Sequence, residues 1–118
     1  MSADRIQAKK FLDPAIDVFA GHYPGKPIFP GVLLCEAAFQ AGAILISEIM
    51  EVAEGKVPVV TRLNNVKFRR PVKPGETLEI DVELTERLTD VFFLKGKVSV
   101  DGQVATRLEF ACTVTDAP

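Results

Sequence analysis

The chain has 118 residues, and 47% of them are hydrophobic, which is enough to build the core of one ordinary domain. It carries 14 basic and 16 acidic residues, so the formal net charge of −2 gives no overall attraction to nucleic acid or to an anionic membrane. No basic stretch followed by an apolar segment opens the sequence, so no signal peptide is expected. The two cysteines are far apart and lack a metal-binding spacing, which indicates reduced core residues of a cytoplasmic protein.

The first half of the sequence predicts a short strand, a stiff loop and a long helix. Residues 5–11 are typical of an edge strand, and four Gly or Pro punctuations make residues 21–31 a loop without regular structure. A helix is predicted from Pro30-Gly31 to about Met50. Its apolar residues fall on all sides, and Pro30 and Glu36 interrupt the apolar run. A helix surrounded by protein is therefore favoured over a membrane span.

The second half of the sequence changes to the two-residue period of β-strands. Residues 78–84 alternate apolar and polar side chains, as in an antiparallel strand with one buried face. Asp101-Gly102 is a strong signal for a two-residue hairpin. The predicted strands span residues 57–70, 77–87, 91–100 and 104–115. One apolar helix followed by an antiparallel meander indicates an α+β fold, in which the sheet wraps the helix, and a single domain over residues 1–118.

Two chemically capable side chains lie beside the start of the predicted helix. His22 is the only histidine, and Glu36 is the only charged residue between Ile28 and Ile46. A carboxyl among apolar residues must be neutral, be paired or take part in chemistry. Each residue alone has an ordinary explanation, as a hydrogen-bonded loop histidine or as a glutamate bonded to the backbone. Together, at this spacing, they favour a catalytic pair.

These residues belong to a longer series of motifs. The series comprises His22-Tyr23-Pro24-Gly25, then Pro27 to Leu33, then Glu36-Ala37-Ala38-Phe39-Gln40, and continues in Asn65 to Glu76 and more loosely in Phe92 to Ala111. It resembles the active-site signature of the hot-dog-fold 3-hydroxyacyl-[acyl carrier protein] dehydratases. Tyr23 replaces the usual phenylalanine, and the family's N-terminal extension has no counterpart. The chain is therefore interpreted as a short homologue dedicated to one pathway.

The resemblance implies a hot-dog fold and a dehydratase that converts (3R)-3-hydroxyacyl thioesters to trans-2-enoyl thioesters. His22 would take the C2 proton as the general base, because an imidazole is uncharged at working pH. Glu36 would donate a proton to the departing C3 hydroxyl, because apolar surroundings favour the protonated carboxyl. No metal, nicotinamide or other cofactor is required.

The start of the helix offers hydrogen-bond donors for the charge that develops on the thioester oxygen. Pro30 has no N–H group, so Gly31 supplies the first donor, at the positive end of the helix dipole. The Gly31 N–H, helped by that of Val32, is the predicted oxyanion donor.

Two further residues are predicted to support the site. Gln40 lies one turn after Glu36 and could orient its carboxyl or a water molecule. Tyr23 either supports the site or packs beside it. The family resemblance also implies a homodimer or a trimer of dimers, in which His22 of one protomer faces Glu36 of the other.

A basic cluster follows the second predicted strand. Its members are Lys67, Arg69, Arg70 and Lys73, and Lys26 adds a further positive charge in the active-site loop. The simplest explanation is a solvated strand end. The functional alternative is docking of an acidic acyl carrier protein through long-range attraction.

The sequence leaves two other functions open. The hot-dog fold also supports acyl-thioester hydrolases, so the fold alone does not separate hydrolysis from dehydration. A non-catalytic acyl-thioester-binding subunit is the second alternative. The acyl chain length, the choice of carrier protein or coenzyme A and the net direction of the reaction are not encoded in any motif.

Overall fold

The computed structural model describes residues 4–13, 15, 29–49 and 55–116. Within them lie strands β1 (Arg5–Phe11), β2 (Lys56–Phe68), β3 (Thr77–Leu88), β4 (Val91–Val100) and β5 (Gln103–Asp116), and helix α1 (Gly31–Ile49). The strands form one antiparallel sheet in the order β1-β3-β4-β5-β2. One helix packs on one face of this sheet, which confirms the predicted α+β class.

Tight hairpins build the centre of the sheet. Val100 pairs with Gln103, and the two residues between them, Asp101 and Gly102, have φ angles of 50° and 77°. Positive φ at both positions is the geometry of a type I′ turn, whose twist matches that of the strands. The hairpin prediction at Asp101-Gly102 is confirmed, and so is the prediction that residues 5–11 form an edge strand.

The core lies between α1 and the three central strands. The buried residues of the helix are Leu34, Cys35, Ala38, Ala41, Gly42, Leu45 and Ile46. Two glycines allow the helix to lie close to the sheet. A Cβ atom at Gly42 would lie 2.9 Å from the Phe110 ring, and one at Gly96 would lie 3.2 Å from the Ala38 Cβ. Removing these apolar side chains from water stabilises the fold, by about 1.5–3 kcal/mol for a fully buried residue such as Leu45.

The prediction that α1 is surrounded by protein on all sides is wrong for the single chain. Val32 is 71% exposed and Ile44 is 53% exposed, and they share the open side of the helix with Glu36 and Gln40. By length and composition the helix could cross a membrane, but its packed side lies against the sheet in the way of a core helix. An all-round apolar pattern therefore reflects burial on one side and an open apolar surface on the other.

Strand β2 bends at two irregularities in its pairing with β5. They lie between Val60 and Arg62 and between Asn64 and Lys67. Bulges of this kind increase the local twist of a strand. The end of β2 carries Phe68 against the start of α1, and the strand thereby shapes the region next to the helix N-terminus.

Candidate active site

The start of α1 is held against the segment that follows β2. The Phe29 N–H donates to the Val72 carbonyl at 2.7 Å, and these two residues form an isolated antiparallel bridge. Pro30 follows, and its carbonyl accepts a hydrogen bond from the Leu33 N–H at 3.0 Å. Gly31 is the first helical residue, as predicted. The first N–H groups of a helix have no acceptor inside it and carry the positive end of its dipole.

Phe68 covers Gly31. A Cβ atom at Gly31 would lie 2.7 Å from the Phe68 Cε1 atom, closer than real Cβ contacts occur. The ring of Phe68 is nevertheless 55% exposed. A groove of about 620 Å³ lies between the start of α1 and residues 68–72, and Gly31 and Val32 line it. We call it the amide groove. A side chain at position 31 would therefore force the Phe68 ring or the start of the helix to move.

A second groove, of about 530 Å³, lies between α1 and strand β1. Glu36 and Gln40 line it together with mainly apolar residues, among them Leu33 and Ile44. Gln40 Nε2 donates a hydrogen bond to Glu36 Oε1 at 3.2 Å, so the expected contact between these side chains is present. We call this the carboxyl groove. On the helix side it presents the Glu36 carboxyl, with an amide that orients it, among apolar residues, and Lys9, Lys10 and Asp13 line the opposite side.

The predicted site residues are therefore not all brought together in one chain. Gly31 and Val32 line the amide groove, whereas Glu36 lines the carboxyl groove. Glu36 is exposed, contrary to the expectation that apolar neighbours enclose it, because its side of the helix is open. The predicted residues His22, Tyr23 and Lys26 lie outside the described residues.

The predicted basic cluster divides into two kinds of residue. The side chain of Arg70 is half-buried and is engaged by Glu76 and Gln103. The other members, Lys67, Arg69 and Lys73, are exposed.

Two more basic residues were missed by sequence reasoning. Lys67 pairs across the sheet with Arg107, which also pairs with Lys97. Like charges directly opposite each other on neighbouring strands are destabilising. Only the strand register reveals this basic row, because its members are distant in sequence.

The two cysteines belong to the core and not to either groove. Both are free and buried. Burial raises the pKa of the Cys35 thiol, and it raises the pKa of the Cys112 thiol to about 11. Both thiols are therefore protonated near neutral pH and poorly nucleophilic. Among the residues that the structure describes, no group of three His, Cys, Asp or Glu side chains is placed to hold a metal ion.

Comparison with known proteins identifies the family. A family model described as a FabA-like domain matches residues 2–109. The chain belongs to the FabA-like family. It is 42% identical over 116 residues to the 3-hydroxyacyl-[acyl-carrier-protein] dehydratase FabZ of Erythrobacter litoralis, covering 98% of this chain and 77% of that protein. The corresponding enzyme of a Caulobacter species is 43% identical over 101 residues, covering 85% of this chain and 62% of that protein.

Solved structures share the fold at lower sequence identity. The dehydratase heterocomplex ApeI:P of Xenorhabdus doucetiae has a TM-score of 0.71 at 24% identity, covering 95% of this chain and 89% of that chain. The fluoroacetyl-CoA thioesterase FlK has a TM-score of 0.81 at 13% identity, covering 98% of this chain and 89% of that chain. The predicted hot-dog fold is confirmed. Because dehydratases and thioesterases share this fold, the sequence relatives decide between them. They confirm the predicted dehydratase and do not favour the hydrolase.

Proposed function

We propose that this FabA-like protein removes water from (3R)-3-hydroxyacyl groups on an acyl carrier protein, giving trans-2-enoyl thioesters in fatty acid biosynthesis. The relatives that are 3-hydroxyacyl-[acyl-carrier-protein] dehydratases support this substrate class. The observation that carries the proposal is the Glu36–Gln40 pair, which presents an oriented carboxyl in a mainly apolar groove. The reaction takes place in the cytoplasm, where two unpaired cysteines stay reduced.

The chemistry needs one base, one acid and one set of hydrogen-bond donors. His22 removes the C2 proton, and the electrons of that C–H bond form the C2=C3 double bond as the C3–O bond breaks. Glu36 delivers its proton to the departing hydroxyl, which leaves as water. The negative charge that develops on the thioester oxygen accepts hydrogen bonds from the N–H groups of Gly31 and Val32. Transfer of a proton from His22 to Glu36 restores both residues for the next turnover.

The site is shared between two protomers. Gly31 and Glu36 line different grooves of one chain, and this supports a reaction centre that combines the amide groove of one protomer with Glu36 of its partner. Exposed apolar side chains near the grooves, including Val32 and Phe68, support a second copy as the cover. The assembly is a homodimer or a trimer of dimers.

The carrier protein docks at the basic corner of the sheet, beside the amide groove. Lys67, Arg69 and Lys73 are exposed there, and Lys26 is assigned to the same partner. The cross-strand row of Lys67 with Arg107 supports a surface kept for an acidic partner, because like charges in register are otherwise unfavourable. Arg70 is withdrawn from the predicted docking set because Glu76 and Gln103 engage its side chain.

The first experiment follows two products in one reaction. The protein is mixed with a 3-hydroxyacyl carrier protein, enoyl product is measured by mass and free thiol by a colorimetric reagent. We expect enoyl product without free thiol, and loss of the product in His22→Ala. Free thiol would make the protein a hydrolase. If neither product formed at any of several acyl lengths, the enzymatic proposal would be wrong and a binding subunit would replace it.

A mixing experiment tests the shared site. His22→Ala and Glu36→Gln protomers are unfolded and refolded together in equal amounts. If each site takes its two residues from different protomers, half of the dimers are mixed and each has one intact site, so about one quarter of the wild-type rate returns. Each variant refolded alone is the control and should stay inactive. No recovery in the mixture would place His22 and Glu36 of a site in the same chain.

A further inference from the structure

Arg70 lies at the centre of a compact set of hydrogen bonds. Its Nη2 group donates to Glu76 Oε2 at 2.8 Å, its Nη1 group to Gln103 Oε1 at 3.3 Å, and its Nε group to the Pro71 carbonyl at 3.3 Å. We call Arg70, Glu76 and Gln103 the Arg70 clasp. The side chains of Arg70 and Glu76 are only 25% and 21% exposed. A charged pair with several bonds and little solvent is better ordered than a surface ion pair.

The clasp holds a turn that is fixed at several other points. The second carboxylate oxygen of Glu76 accepts the Lys73 N–H at 2.7 Å. The Glu76 carbonyl accepts the Leu12 N–H at 3.0 Å, and the Gly75 N–H donates to the Leu12 carbonyl at 2.8 Å. Residues 71–76 are therefore clamped from inside the turn and from the segment after β1.

This turn contacts the start of α1 directly. Val72 is completely buried within it, and its carbonyl accepts the Phe29 N–H at 2.7 Å. Phe29 is followed by Pro30, which has a fixed φ angle, and then by Gly31. A short and stiff path thus leads from Arg70 through Val72 and Phe29 to the Gly31 N–H.

We propose that Arg70 and Glu76 are positioning residues for the dehydration reaction, because they fix the turn that sets the place of the Gly31 N–H. This inference rests on the proposed function, in which that N–H stabilises the thioester oxygen. Hydrogen-bond donors of this kind act only within about 0.5 Å of the productive position. A displacement of about 1 Å can reduce the rate by about 100-fold. Loosening the clasp therefore lowers kcat, and substrate docking is affected less.

The neighbouring Arg69 provides a matched control. It carries the same charge and lines the same groove, but its side chain is exposed. Its own backbone is held by the N–H that donates to the Ala105 carbonyl at 2.7 Å. A role in docking predicts similar effects for both arginines, whereas positioning predicts an effect on kcat for Arg70 alone.

The test compares Arg70→Gln, Glu76→Gln and Arg69→Gln on two substrates, well below the melting temperature of each variant. One substrate is a 3-hydroxybutyryl carrier protein, and the other is the N-acetylcysteamine thioester, which has no carrier protein to dock. We expect Arg70→Gln and Glu76→Gln to lower kcat by about 10-fold or more on both substrates, with small changes in KM. The double variant should be no slower than Arg70→Gln. Arg69→Gln should raise only the KM for the carrier protein.

Arg70→Lys separates geometry from charge. Lysine keeps the positive charge but lacks the planar group that reaches Glu76 and Gln103 together. We expect kcat to recover only partly in this variant. Full recovery of kcat in Arg70→Lys would assign Arg70 to docking. The same would follow if Arg70→Gln changed only the KM for the carrier protein. Unchanged kcat with a lowered melting temperature would make the clasp purely structural.

Hydrogen exchange gives a readout that does not depend on the reaction. Arg70→Gln should increase amide exchange in the peptide that covers residues 29–34, and Arg69→Gln should not. Equal exchange in both variants would overturn the proposed positioning role of the Arg70 clasp, even if the enzyme were active. If wild-type protein formed no enoyl product, the proposed function would fail and the positioning role with it, whereas increased exchange would still establish the mechanical link.

Discussion

The amide groove and the carboxyl groove lie on two sides of the same helix and differ in chemistry. The amide groove combines helix N–H groups with Phe68 and two arginines, whereas the carboxyl groove combines Glu36 and mainly apolar side chains with Lys9, Lys10 and Asp13. Gly31 is the first residue of α1, and Glu36 lies more than one turn further along it. The first backbone N–H groups of a helix point along its axis, whereas a side chain projects away from the axis, so the two groups of one chain face different directions. This difference supports the proposal that one protomer supplies two half-sites, which a second copy combines.

The largest effect should come from removing the acid of the carboxyl groove. Glu36→Gln keeps the size and a hydrogen bond to Gln40 but has no proton to donate to the departing hydroxyl. We expect kcat to fall by about 100- to 10,000-fold with the assembly intact, measured by initial rates and by size-exclusion chromatography. The matched control is Glu48→Gln, because Glu48 is also exposed on α1 but does not line the groove. Similar rates in the two variants would show that Glu36 is not the acid of the reaction.

A smaller effect should come from filling the amide groove at Gly31. In Gly31→Ala the new methyl group would meet the Phe68 ring at 2.7 Å, so the ring or the helix start must move. We expect kcat to fall by about 10- to 100-fold, because the oxyanion donors are displaced.

The double variant Gly31→Ala with Phe68→Leu tests the cause of that loss. A smaller side chain at position 68 relieves the contact, so part of the lost rate should return in steady-state assays. A double variant as slow as Gly31→Ala, together with an unaffected Phe68→Leu variant, would mean that the contact with the ring is not what limits the rate.

The fold was largely readable from the sequence because its signals are local. The alternation in β3 and the Asp101-Gly102 turn each act within a few residues, and the structure places them as predicted. The start of the helix at Gly31 is equally local, because Pro30 stops the preceding segment. Glu36 was identified as the only charged residue of an apolar run, and its contact with Gln40 follows from helix geometry.

The rest depends on contacts between distant residues. Gln103 lies 33 residues after Arg70, so no local pattern could assign Arg70 to a clasp. Glu76 is nearer in sequence, and it lies on the other side of a Pro-Gly turn from Arg70. Their opposite charges were a usable signal for an ion pair, but Arg70 was interpreted as a docking residue. The contact of Phe68 with Gly31 depends on the irregular pairing of β2. An apolar helix pattern does not distinguish a core from an interface, and so the open side of α1 was missed.

The smallest effect concerns a core residue that lines neither groove. Cys112 is buried in the core, and burial raises the pKa of its thiol to about 11 from an ordinary value of 9.0. The unfolded chain therefore loses this proton at lower pH than the folded protein. The contribution to the free energy of unfolding is complete below about pH 9 and is lost as the pH rises towards 11.

We therefore expect wild-type protein to lose roughly 1–3 kcal/mol of stability, relative to Cys112→Val, over that pH interval. Valine is similar in size and has no proton to release, so other alkaline effects are common to both proteins. Urea unfolding of the two proteins at about pH 8 and about pH 10 measures the difference. A difference between them that stays constant with pH would show that the Cys112 thiol ionises as easily in the folded core as in the unfolded chain. The contrast between a core that excludes solvent and the open side of α1 would then not hold at Cys112.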